Sequence, residues 1–132
     1  MTRGLRNNNP GNIRHNGDTY QGEVKGTDKS FKTFSSMAYG YRAMFVVLNT
    51  YQRKYGLRTI REMIARWAPS TENDTESYIR SVAEWSHVPA DCRITTTNHD
   101  VMPDIVAAMS RVENGVEANR KDVEAGWRLF MQ

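Results

Sequence analysis

The chain has 132 residues, 39% apolar and 25% charged, with a formal net charge of +3 at neutral pH. That balance fits one soluble domain, able to bury about two thirds of its unfolded surface. One cysteine, Cys92, excludes an internal disulfide, and the scattered His15, His87 and His99 have no metal-ligand spacing, so no metal site is expected.

Residues Asn7-Asn8-Asn9-Pro10-Gly11-Asn12-Ile13-Arg14 suit neither helix nor strand. Asparagine amides compete with the backbone for hydrogen bonds, proline fixes φ and lacks a donor, and glycine tolerates φ > 0; the segment predicts a tight, self-bonded turn. It is either a surface connector or a polar floor for a ligand rich in hydroxyls and amides, since an amide side chain both donates and accepts. Residues 19 to 34, with aromatic, Thr and Val residues around Gly22 and Gly26, suggest two short strands or an extended hairpin.

From Ser35 or Ser36 the pattern turns helical. Tyr41, Met44 or Phe45, Leu48, Tyr51 or Gln52 and Tyr55 recur at helical spacing up to a stop at Gly56. A shorter helix is expected from Thr59 through Trp67, ended by Pro69. Asp74 or Thr75 caps a third, with Tyr78, Ile79, Val82 and Trp85 as its buried stripe, and Glu72 is placed near its start, where negative charge is favourable. Beyond a loop holding Pro89 and Cys92, a helix runs through Val101, Ile105, Ala108, Met109 and Val112 to Asn114-Gly115, and a last one starts near Asn119. No run reaches the roughly 18 apolar residues of a membrane span. The basic start, Met1 to Arg6, lacks the apolar stretch of a secretory signal, which predicts synthesis in the cytoplasm. The expected architecture is a single mainly α domain over residues 1–132 with an irregular N-terminal lobe.

Glu113 stands in the last turn of the fourth of these helices. Aligned peptide dipoles leave about half a negative charge at a helix C-terminus, which disfavours an ionised carboxylate there. Glu113 is therefore either a solvated surface glutamate beside a glycine cap or a candidate proton donor of the kind glycosidic cleavage needs. The rival acid is Glu23, in the loop-rich lobe where a cleft would open, although a loop glutamate beside glycine is usually solvated. The mild positive charge suits a nucleic acid or an anionic cell wall alike, but zinc-finger, recognition-helix and RNA-binding signatures are missing.

Glu113-Asn114-Gly115 at the end of an apolar helix resembles the Glu-Ser-x-Gly signature of lysozyme-like lytic transglycosylases, in which the glutamate is the catalytic acid and base. Asp74-Thr75-Glu76-Ser77-Tyr78-Ile79 resembles their Glu-Thr-x-x-Tyr-Val motif, whose tyrosine supports that glutamate. Asn8 to Arg14, Tyr20-Gln21-Gly22 and Phe31-Lys32-Thr33-Phe34 look like segments of related glucosaminidases and phage lysins. Together with Trp67-Ala68-Pro69 and Glu72-Asn73-Asp74-Thr75, they look like a group of phage-encoded muralytic proteins often labelled virion structural proteins. The glutamate comes last here rather than first, which reads as a circular permutation of the lysozyme-like core, allowed because domain termini often lie close together. Asn114 replaces the usual Ser and Tyr20 the usual Trp.

The resemblance implies a small lysozyme-like domain, a lytic transglycosylase or a muramidase, that cleaves peptidoglycan between N-acetylmuramic acid and N-acetylglucosamine without a cofactor. Glu113 and Tyr78 would be its catalytic pair, and Asn9, Asn12, Tyr20, Glu23 and Asn114 would bind substrate. Its partner would be the glycan strands of the wall, with no nucleic acid, and the protein would be a monomer acting at the wall or carried in the virion. The alternatives are a non-catalytic virion or wall-binding protein and a small basic nucleic-acid-binding module.

Overall fold

The computed structural model describes residues 1–132 and is mainly helical. A short helix, α1 (Arg3–Arg6), precedes the asparagine-rich turn; β1 (Glu23–Val24) and β2 (Thr33–Phe34) form a two-stranded antiparallel sheet; five longer helices follow. These are α2 (Met37–Tyr55), α3 (Ile60–Trp67), α4 (Thr75–Ser86), α5 (Met102–Asn114) and α6 (Arg120–Phe130). None is long and apolar enough to cross a membrane.

The helix starts follow the side chains that cap them. Ser36, Thr59, Asp74 and Asn119 each accept a hydrogen bond from a backbone N–H in the first turn of α2, α3, α4 and α6. Gly56 and Gly115 end α2 and α5 in the left-handed conformation. α5 instead begins with Pro103 in its first turn, where the missing N–H costs nothing.

One core runs through α2 to α6. Tyr41, Ala43, Met44, Phe45 and Leu48 of α2 are almost wholly buried, and each large side chain of that kind contributes about 1.5–3 kcal/mol by leaving water. α6 lies along α2: Phe45 meets Trp127 edge-on at 5.1 Å and Phe130 in a stack at 5.8 Å. Gly126 faces the Tyr41 Cβ at this crossing. Ile13 and Phe34 carry the core into the N-terminal lobe.

Three expectations need correction. Trp85 is exposed rather than buried; it stands at the edge of the α4–α5 packing, with the Arg111 guanidinium 4.1 Å over its ring. Tyr55 leaves the buried stripe of α2, exposed beneath Arg66, while Tyr51 stays half-buried against the core. Glu72 sits two residues ahead of the Asp74 cap, in a turn, where its carboxylate lies 3.9 Å from Arg14; the acidic residue in the first turn of α4 is Glu76.

Candidate functional site

The asparagine-rich segment is a built object. Asn9 is completely buried, its amide donating to the carbonyls of Ile13 and Lys32 (3.0 and 2.8 Å) and its Oδ1 accepting from the Ile13 N–H at 2.9 Å. Asn8 and Asn12 take left-handed φ values of 51° and 50°, which asparagine tolerates better than most side chains. Gly11 has no room for a side chain, since a Cβ there would lie 2.8 Å from Trp67 Cζ2. The turn thereby packs directly on the end of α3.

A second anchor holds the lobe from outside. Asp28 accepts from Arg3 Nε and Nη2 (2.6 and 2.8 Å), from the Asn7 amide and from the backbone of Ser30 and Phe31. The Arg3 guanidinium, followed by the Phe31 N–H, holds the Asp28 carboxyl well below the usual carboxylate range.

Around Glu113, on the last turn of α5, the turn meets α3 and α4. Oε1 accepts from Asn12 Nδ2 at 2.9 Å, and Oε2 accepts from the Tyr78 hydroxyl at 2.9 Å and from Trp67 Nε1 at 3.4 Å. Glu113 forms no ion pair. Burial pushes the Tyr78 hydroxyl well above its ordinary value, and the facing Glu113 carboxylate pushes it the same way, so this tyrosine stays protonated and donates. A carboxylate has about four lone-pair sites; neutral donors occupy three of them here. The remaining site takes no donor from the protein.

Glu113 lines a cleft of about 1210 Å³. On one side are the turn from Gly11 to Arg14, Tyr20 and Gln21; on the other are Arg42, Val46, Thr50 and Tyr51 of α2 and Arg66 and Trp67 of α3. The volume exceeds the roughly 300–1,000 Å³ of small-molecule pockets and suits an extended ligand.

The sequence-predicted site residues divide. Glu113, Tyr78 and Asn12 come together, and Glu113, Asn12 and Tyr20 line the cleft. Asn9, Glu23 and Asn114 do not line it. Asn9 spends its amide on the turn itself. Asn114, buried, donates to the carbonyls of Pro10 and Ser110 and accepts from the Thr2 hydroxyl, tying both ends of the resemblance together. Glu23 is no solvated loop acid: it pairs with the buried Lys32 ammonium at 2.9 Å and accepts from the Tyr20 N–H. Trp67 joins the group although it was not expected to be a site residue; its place in the Trp67-Ala68-Pro69 segment of the resemblance was the available signal.

The fold and site thus define a small helical domain whose cleft is floored by one carboxylate held on neutral donors. No known family model matches the chain. It is 43% identical over 117 residues to Protein P5 of Pseudoalteromonas phage PM2, a match covering 86% of this chain and 71% of that protein. The chain belongs to the family of that bacteriophage protein.

Proposed function

We propose that the protein cleaves peptidoglycan glycan strands as a lysozyme-like lytic transglycosylase, with Glu113 as its acid and base. The observation that carries this reading is the setting of Glu113: a cleft carboxylate with no cation on it, gripped by Asn12, Trp67 and Tyr78, with one lone pair left for a proton. Protonated Glu113 gives its proton to the glycosidic oxygen as the bond to the anomeric carbon breaks, and the leaving sugar departs with a new hydroxyl. The 6-hydroxyl of the muramyl residue then closes on that carbon and returns its proton to Glu113, so that one carboxylate serves both steps. The other cleft carboxylates, Asp18 and Glu72, are exposed, and Glu72 faces Arg14. Membership in a phage protein family supports the setting, since a phage must cross the bacterial wall.

The test is clearing of purified peptidoglycan by Glu113→Gln, which keeps the shape and removes the transferable proton. The rate should fall by about 100-fold to 10,000-fold, with the circular dichroism spectrum unchanged. Activity within a few-fold of the parent would contradict Glu113 as the acid. A parent protein that binds wall but never clears it would place the chain among non-catalytic wall-binding proteins.

A further inference from the structure

One wall of the cleft carries cations that the protein itself does not neutralise. Arg42, Arg53 and Lys54 of α2 and Arg66 of α3 line the cleft, and none of the four takes part in an ion pair. Arg42, Val46, Thr50 and Arg53 or Lys54 follow one another at helical spacing on the cleft side of α2, a run of about 18 Å from first to last at 1.5 Å per residue. The Arg66 guanidinium lies 3.8 Å over the Tyr55 ring and 5.3 Å from that of Tyr51. Stacking fixes such a group while leaving its in-plane N–H donors free for a planar carboxylate.

We propose that this α2–α3 wall binds the carboxylates of the peptide stems borne by the glycan, so that the preferred substrate is stem-bearing rather than bare glycan. The inference rests on the glycan-cleaving reading and extends it to the α2 and α3 residues of the cleft. A nucleic acid fits less well. Its phosphates repeat at fixed short intervals, and the same cleft holds Asp18, Glu72 and Glu113, which would oppose them. Carboxylates on a flexible stem can reach the cations without following a fixed spacing.

Calorimetric titration of the Glu113→Gln protein separates the possibilities without turnover. The probes are soluble glycan tetrasaccharides with stems intact, with stem carboxylates amidated, and with stems removed, plus a single-stranded DNA 12-mer. Intact stems should improve affinity at least tenfold over bare glycan, the worth of one good charge-assisted pair, and amidation should abolish that gain. Adding Arg53→Gln and Arg66→Gln should bring the intact and bare ligands within about threefold of each other, chiefly by weakening the intact one. Equal affinity for intact and bare glycan, or an equal loss for both in the arginine variants, would overturn the stem assignment while leaving the glycan reading standing. Binding of DNA in preference to every glycan would overturn both.

Discussion

The N-terminal lobe and the helical bundle each hold a donor against Glu113, by opposite means. Tyr78 and Trp67 are placed by helices whose apolar faces share one core, so their positions follow from nonspecific burial summed over many side chains. Asn12 is placed by a turn whose positioning rests on a few directional bonds around Asn9, Asn114 and Asp28, with Ile13 as the turn's buried apolar side chain. Apolar packing degrades gradually when one group is lost. A polar scaffold fails more abruptly, because each lost partner strands another.

Asn9→Ala should show the contrast most strongly. It strands the buried Lys32 carbonyl and the Ile13 N–H, while the Ile13 carbonyl keeps the Lys32 N–H, at about 1–3 kcal/mol for each group left unsatisfied. Urea unfolding should show a loss of about 2 kcal/mol or more, and hydrogen exchange should show residues 7–34 opening before α2 to α6. A change below about 1 kcal/mol would mean that the turn is held by packing after all.

On the helical side, Tyr78→Phe removes one donor from Glu113 and keeps the ring in the core. Loss of a hydrogen bond to a charged group, worth about 1.5–3 kcal/mol, should lower the rate of wall cleavage about 10-fold to 100-fold while the melting temperature moves by only a few degrees. A rate unchanged by this substitution would remove Tyr78 from the site.

The smallest effect concerns acid. Because Asp28 is held below its unfolded value, its contribution is present above the ordinary aspartate range near about pH 4 and is lost as pH falls through the lower folded value. Thermal melts between pH 5 and pH 2 should therefore show a steeper decline for the parent protein than for Asp28→Asn. Parallel declines would assign acid lability to other carboxylates.

The same contrast explains what was legible in the sequence. α2 to α6 follow from local signals: Ser36, Thr59, Asp74 and Asn119 cap as their chemistry predicts, Gly56 and Gly115 stop their helices, and apolar spacing marks the buried faces. That Glu113 and Tyr78 meet was legible through motif resemblance, and the turn through its composition. The individual duties of the asparagines were not, because each depends on a partner far along the chain. Asn9 meets the Lys32 carbonyl, and Asn114 meets that of Pro10. Glu23 looked solvated because nothing local shows that Lys32 is buried beside it. Trp85 and Tyr55 had core spacing but lie at positions where an arginine, rather than another helix, covers the ring.

The central claim is that Glu113 works alone. A paired-acid hydrolase needs a second carboxyl group about 5–10 Å from the first. In this cleft Asp18 and Glu72 are the other carboxylates, both exposed, while Glu23 is committed to Lys32. Mass spectrometry of peptidoglycan digested by the protein tests this most directly. Cleavage by one carboxylate predicts 1,6-anhydromuramyl ends that disappear with Glu113→Gln; products carrying an added water and a free reducing end would contradict it and point to Asp18 or Glu72 as a second acid.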